Sequence, residues 1–355
     1  MTAPTSAPAR AELGAPRAVL DAAAVILASR PESLARCLES LARQEGAAPF
    51  ETVLVLNGRQ DACAAVARRF QGRLPGLAIL PAGGLSLGEG RNRAVRLARS
   101  RWLAFFDDDV ALPPGYFSLL ARTLDRHPDA AAVGGPDRTP AGSALFQRCV
   151  GHVLDSALGS GPIRRHGRGF PCETWTDDRG LILCNLVFDR RALEASGLGF
   201  DETLVRNEEN LLLAQLLARG RRALHAPGLF VFHERRPGLA GFARQCFLSG
   251  WGRAQMSLKR PGSLRLFHLG PLIPAACLLA VPRVPEAALL ALAAYAAASA
   301  ANGLSVLARQ QEEPGSALTW LTILAPIAHL CYAAGLAAGT LDCLAFRSRR
   351  RGART

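Results

Sequence analysis

Lysine is almost missing from this chain. Lys259 is the only one, so the 42 basic residues are otherwise arginine. Their excess over 29 Asp+Glu leaves a formal charge of +13. An arginine-rich solvated surface gives such a figure without any partner, and no helix-turn-helix, zinc-finger or aromatic-plus-basic RNA motif accompanies it, so nucleic acid is not expected. A P-loop is excluded because G-x-x-x-x-G-K-[ST] does not occur, and the glycine string Gly83–Ala94 lacks the third glycine of a dinucleotide fingerprint where Arg93 stands. The absence of a G-x-S-x-G elbow argues against a hydrolase. Cysteines number nine, an odd count with no CxxC pair, which suits reduced thiols in a cytosolic compartment better than a disulfide framework. Charged residues make up 20% and hydrophobic ones 49%, too apolar for disorder. A length of 355 residues points to a large α/β unit or a catalytic domain with something appended.

Residues 1–18, rich in Ala, Pro and Ser, hold no apolar run for a signal peptide and read as a flexible arm. From Ala22 strands and helices alternate. The pattern predicts strands at 22–28, 52–56, 77–80 and 102–106, and helices at 31–44, 61–70 and 90–99, with Ser29 a cap ahead of Pro31. Continuous apolar strands separated by helices imply a mostly parallel sheet covered on both faces, with ligands beyond the strands' carboxyl ends. Further on, a strand is expected at 130–135, a helix at 143–158, a mobile Gly/Arg-rich loop at 159–179, and a helix from about Glu208 to Arg219 closed by Gly220.

The last ninety residues differ in kind. Ala287–Ala308 and Pro314–Leu341 are uncharged, and a helix of 22 residues is about 33 Å long against a hydrocarbon core of roughly 30 Å. Two spans, 284–308 and 316–346, are expected. Arg and Lys flank both ends, so the positive-inside rule puts both ends in the cytoplasm and Glu312 and Glu313 outside. The proline-broken 266–281 lies at the interface or re-enters. The resulting plan is an arm at 1–18, a catalytic domain at 19–258, an interfacial segment at 259–283, a transmembrane hairpin at 284–346 and a basic cytoplasmic tail at 347–355. It places the protein at the inner membrane with its catalytic domain facing the cytoplasm.

Three carboxylates, Asp107, Asp108 and Asp109, follow the strand WLAFF. Like charges at a strand end are costly without a cation, and Asp107 and Asp109 can converge on one hard divalent ion, Mg²⁺ or Mn²⁺, bridging a diphosphate. A second acidic pair, Glu208 and Glu209, opens a helix, where it complements the dipole or supplies a general base. Asp201 sits in the turn GFDE before that helix. His233, in HERR, is placed to ligate the ion or a phosphate oxygen.

The succession VILASRPESLARCLESLARQ, ETVLVLNG, GEGRNRAVRLARSRWLAFFDDDVALPPGY, LCNLVFDRRALEASGLGFDE and NEENLLLAQLLARG resembles the family-2 inverting glycosyltransferases of GT-A fold, over about residues 22–236. The tail RPGLAGFARQCFLSGWGRAQM with its apolar segments is similar to the succinoglycan-type branch. The resemblance implies a Rossmann-like, mostly parallel sheet covered by helices, followed by transmembrane helices. It implies a nucleotide-sugar donor, a UDP-sugar first, and an acceptor that is polyprenyl-diphosphate-linked or a glycan, alongside membrane lipid. Asp107 and Asp109 match the family's DxD metal motif, with His233 a further ligand. Ser29, Arg30, Asn57, Arg91, Asn92, Asp107 and Asp108 fall on the donor side. Asn185, Asp201, His233, Gln245, Trp251 and Arg253 fall on the acceptor side, and Glu209 with its neighbour Glu208 stands where the base acts. Ala28, Asn57 and Glu209 replace the usual Pro, Asp and Asp, and without a clean Q-x-x-R-W single transfer is expected over polymerisation. The competing classes are a catalytically silent membrane-bound binding or scaffold protein and a sugar nucleotidyltransferase, the latter disfavoured by the missing phosphate-binding lysine.

Overall fold

The strand that opens the domain, β1 (Ala22–Ala28), is buried at all seven positions, which a strand tolerates only when both faces of its sheet are covered. A computed structural model describes residues 20–46, 50–74, 76–310 and 315–352. The arm 1–18, Glu312, Glu313 and Arg354 lie outside the described residues. After β1 come α1 (Pro31–Ala42), β2 (Glu51–Leu56), α2 (Gln60–Arg68), β3 (Leu77–Pro81), α3 (Leu87–Leu97) and β4 (Trp102–Asp107). The chain continues through β5 (Val110–Ala111), α4 (Tyr116–Arg126), β6 (Ala130–Gly134), β7 (Asp137–Arg138), α5 (Leu145–Leu154), α6 (Ala157–Ser160) and β8 (Thr174–Thr176). A 3-10 turn at Leu183–Asn185 leads into β9 (Leu186–Asp189), α7 (Arg190–Ser196), α8 (Glu208–Ala218), β10 (Arg222–His225), β11 (Val231–His233) and α9 (Leu239–Lys259). The remainder is helical: α10 (Leu266–Leu269), α11 (Leu272–Ala280), α12 (Pro285–Gln310) and α13 (Ser316–Gly352).

Eight strands form one sheet in the order β3-β2-β1-β4-β9-β6-β10-β8. The first four are parallel, but β9 runs antiparallel to both β4 and β6, and β8 antiparallel to β10. The sheet is therefore parallel-rich and mixed. One face packs Ile26, Leu54 and Phe106 under α1 and α4; the other packs Val25, Val53, Phe105 and Phe188 under α3 and α8. Phe105, 1% exposed, meets Phe200 edge-on at 5.1 Å; its truncation to Ala would cost about 3–5 kcal/mol. A second, three-stranded sheet β5-β11-β7 lies at the carboxyl end of β4.

Three local expectations are corrected. Ser29 does not cap α1: Arg30 holds the N-cap position without a side-chain cap bond, because Ser29 is engaged by Asp108 instead. The single helix expected at 143–158 breaks at Asp155, and Ser156 caps a new turn by accepting from Gly159 N at 3.1 Å. The Gly/Arg-rich loop 159–179 is tied down: His166 is 7% exposed against Asp137, and β8 joins the main sheet.

Two helices, α12 and the Ser316–Ala345 part of α13, are long and apolar enough to cross a membrane, with mean hydropathy 1.5 and 1.7. Leu289, Leu290 and Leu304 project outward from α12 at 55%, 73% and 53% exposure. Both helices also pack against the α/β domain. Gln147 of α5 donates to Arg235 O at 2.7 Å, so α5 belongs to the α/β part, yet Phe146 meets Trp320 of α13 edge-on at 4.9 Å. Cys149, Val150 and Val153 share an apolar cluster with Val306, Ala317, Leu321 and Leu324. Further along, the absent side chains of Gly335 and Gly339 admit the backbones of Phe247 and Trp251 of α9. Residues 317–324 thus lie directly against α5.

Candidate active site

β4 delivers Asp107 at its last residue, and β11 pairs His233 with Val110, so the imidazole lies over the carboxylates. Asp107 opens outward, its side chain 37% exposed. Asp109 is 4% exposed; its Oδ2 takes Arg30 at 2.6 Å, while Oδ1 has no hydrogen-bond partner and lies 3.3 Å from His233 Nε2. Burial opposes the Asp109 charge, but His233 and Arg30 outweigh it and hold this carboxyl below its usual range.

On the other edge of His233, Nδ1 donates to Asp137 Oδ2 at 2.7 Å. Asp137, fully buried, also accepts from His166 Nδ1 at 2.6 Å and from the Arg235 guanidinium at 2.6 Å. Because the carboxylate only accepts, Nδ1 carries a proton. Burial opposes the charge of His233, but the acidic groups around it, Asp109 and Asp137 among them, raise the imidazole well above its usual range, so Nε2 is protonated as well and a divalent ion would have to displace that proton to be ligated. Asp107 and His233 put ligand atoms within 4.8 Å of each other, and Asp109 Oδ1 lies 3.3 Å from His233 Nε2, oxygen and nitrogen donors of a kind that Mn²⁺ or Mg²⁺ accepts. The Cys184 sulfur also falls within 4.8 Å of ligand atoms on Asp107 and His233, but burial pushes its thiol up to about 12, which leaves it neutral and soft.

Arg91, 5% exposed on α3, joins the two acidic groups. Its guanidinium is 4.0 Å from Asp107 and makes a short ion pair with Glu208. Burial pushes Glu208 up to about 7 against the pull of Arg91, and its Oε2 has no hydrogen-bond partner. Glu209 follows at 9% exposure. The turn into α8 passes through Asn207 at φ 66°, a left-handed conformation that asparagine tolerates better than most side chains.

The sequence model of glycosyl transferase family 2 matches residues 24–194. Those residues are a glycosyl transferase family 2 domain. The succinoglycan biosynthesis protein ExoO of Rhizobium meliloti (strain 1021) is 26% identical over 222 residues, 60% of this chain. The chain spans only 60% of that relative's length. Among solved structures, the mannosyltransferase PcManGT from Pyrobaculum calidifontis, in complex with GDP-Man and Mn²⁺, has TM-score 0.54 and 19% identity over 91% of this chain and 88% of its own. That likeness gives the glycosyl transferase domain a GT-A-like fold. S. aureus TarS 1–349 aligns over 86% of this chain and 90% of its own, with TM-score 0.48 and 13% identity.

Beyond the carboxyl end of β4, Arg30, Arg91, Asp107, Asp109, Glu208 and His233 are brought together. Several other residues named from the sequence are engaged structurally. Asp108, 1% exposed, accepts from the backbone of Ser29 at 2.6 Å and of Arg30 at 2.8 Å, so it shapes the loop. Asn57, with its amide oxygen and nitrogen assigned by the carbonyls it faces, donates to Ala82 O at 3.0 Å and Leu85 O at 3.1 Å. Asn92 donates to Phe200 O at 2.8 Å and Glu202 at 2.9 Å, tying α3 to the turn that holds Asp201. Asp201 itself accepts from Lys259 Nζ at 2.5 Å. Asn185, fully buried, accepts from Tyr116 at 2.6 Å and donates to Leu229 O at 2.6 Å, leaving its amide no reach into the cleft. Gln245, Trp251 and Arg253 ride on α9, beside α13. Sequence reasoning missed Asp137 and His166; the signal for Asp137 was its place in GGPD, just past the carboxyl end of β6.

Proposed function

We propose that the protein transfers one sugar, with inversion, from a nucleotide-sugar donor to a lipid-linked or polysaccharide acceptor in cell-surface polysaccharide synthesis. The observation that carries this reading is the wiring of Asp107 through Arg91 to Glu208, which joins a cation-binding strand end to the acidic first turn of α8. GDP-Man in the mannosyltransferase structure and succinoglycan biosynthesis for ExoO support the classes of donor and product. Asp107, Asp109 and His233 would hold the divalent ion, which neutralises charge on the departing diphosphate. Arg30 and Arg236, 2.6 and 3.6 Å from Asp109, turn their remaining donors to the same phosphates. Glu208 is committed to Arg91 and orients it. Glu209 is then the free carboxylate of α8 that takes the proton of the acceptor hydroxyl.

In this reading residues 19–258 do the chemistry and 259–346 seat the protein on the cytoplasmic face of the inner membrane. The outward leucines of α12 support lipid contact. A panel of UDP-, GDP- and dTDP-sugars offered with Mn²⁺ or Mg²⁺ and membrane lipid extract tests the reading. Transfer from one donor, abolished by chelator, is the expected result; no transfer and no donor hydrolysis across the panel would reject it.

A further inference from the structure

The C-terminal half of α9 carries a buried cation without a counter-ion. Arg253 is 7% exposed, and among the described residues it has no carboxylate in ion-pair contact; its hydrogen bond goes to the Met256 sulfur at 3.3 Å. An unpaired buried guanidinium is costly, and proteins keep such groups where something else supplies the charge. Buried donors without partners lie in the same region. His268 of α10, 7% exposed, accepts the Arg265 amide on Nδ1 at 3.0 Å, so its proton is on Nε2, and Nε2 has no partner. The Arg165 Nε is likewise buried and unpartnered, and the Tyr332 hydroxyl, near enough to accept from Arg253, has no partner for its own proton.

Packing lays Arg253 against α13 and along the approach to α8. A side chain at Gly250 would meet Tyr332 O at 2.1 Å, so Arg253, one turn on, shares the face of α9 turned to α13. Gly252 abuts Arg206 and Asn207, and Gln255 accepts from Val205 N at 2.9 Å, which lays this part of α9 along the segment leading into Glu208 and Glu209. From the other side, Arg179 lies over the ring of Phe267, the neighbour of His268, at 5.7 Å, and Asn210 donates to Asp178 O. Burial first, then Arg253 and Arg165, push His268 down to about 3. Asp178 and Glu209 are the carboxylates within electrostatic reach of Arg253.

We propose that Arg253, His268, Arg165 and Tyr332 form an anion site beside the first turn of α8 that takes the phosphate or diphosphate headgroup of a lipid-borne acceptor. It rests on the glycosyl-transfer reading for the identity of the lipid as acceptor, but not for anion binding itself. Buried unpartnered N–H and O–H donors around a guanidinium suit an anion, and two guanidinium groups within electrostatic reach of His268 suit a phosphate over a single carboxylate. The site adjoins the apolar helices, so a prenyl chain leaves it into lipid while the sugar end reaches Glu209.

The test uses the full chain in phosphatidylcholine nanodiscs with chelator, which keeps diphosphate off the Asp107 site. Binding of inorganic diphosphate and of farnesyl diphosphate embedded in the disc is measured with the unfolding temperature. Both should bind, and Arg253→Met should weaken both at least tenfold while raising the ligand-free unfolding temperature, because an unpaired buried charge has gone. His268→Asn, which keeps an acceptor where Nδ1 stands and removes Nε2, should weaken binding with little change in unfolding temperature. Unchanged affinity in both variants overturns the site. Binding of inorganic diphosphate alone, with no uptake of farnesyl diphosphate, overturns the lipid assignment. Anion binding lost in Arg253→Met, in a protein that transfers no sugar from any donor, would leave the site standing and reject the glycosyl-transfer reading.

Discussion

His233 Nδ1 donates to Asp137 Oδ2 at 2.7 Å, and the same carboxylate holds His166 and Arg235. One buried anion thus fixes the candidate metal-binding imidazole, the anchor of the loop 159–179 and a buried guanidinium together. Asp137→Asn should weaken Mn²⁺ binding ten- to a hundredfold, the usual effect of losing a carboxylate behind a ligating histidine. It should also cost about 3–5 kcal/mol of stability, because Arg235 is left unpaired. Titration of free Mn²⁺ by electron paramagnetic resonance reads the first effect. Unaltered Mn²⁺ affinity in a folded variant would remove His233 from the ligand set.

The two glutamates at the start of α8 should separate by kinetics. Glu209→Gln should keep donor affinity and lower kcat by about 10²–10⁴, the range of general-base assistance. Glu208→Gln removes the partner of Arg91, so its first effect should be on the KM for the donor. If Glu208→Gln reproduced the kcat loss with an unchanged donor KM, the roles of the two residues would be exchanged.

Stability should fall as the pH rises through neutrality, and Glu208 is the cause. Burial lifts its pKa from 4.5 to about 7, so the folded state holds the proton more tightly than the unfolded chain. The stabilisation is complete below about 4.5 and is lost as pH rises through about 7. At about 1.4 kcal/mol per unit, the interval is worth roughly 3 kcal/mol. Glu208→Gln stays neutral, so denaturant melts at pH 5 and pH 8 should differ less in the variant than in the wild type.

Strand positions were legible because fully buried parallel strands are continuous apolar runs: β1 falls on Ala22–Ala28 as expected, and Asp107 sits at the strand end. What escaped the sequence was long-range pairing. Asp108 is chemically identical to its neighbours, and only the approach of Ser29 and Arg30 turns it inward. Asn185 reads as an available amide until Tyr116 and Leu229 O consume it. The loop 159–179 looks mobile by composition, since glycine and arginine carry no apolar period, yet His166 finds a buried acid 29 residues away in sequence. The seat of α13 was hidden for a similar reason, because hydropathy measures what a helix can bury and not against what.

That seat leads to a topological prediction. A hairpin crossing a hydrocarbon core of roughly 30 Å would put its turn on the far side from the α/β domain. Trp320, four residues after Ser316, instead stacks edge-on against Phe146 of α5 at 4.9 Å, and His329 binds Leu158 O at 2.9 Å. The apolar faces of α11 and α12 then meet lipid from one side, with the helices resting in the leaflet next to the domain. Ser316 and Cys172 are both exposed, and Cys172 reports the side of the α/β domain. In sealed vesicles of one orientation, Ser316→Cys should react with a membrane-impermeant maleimide from the same face as Cys172. Labelling from opposite faces would mean that the hairpin crosses the bilayer and that α5 leaves α13 when the protein enters the membrane.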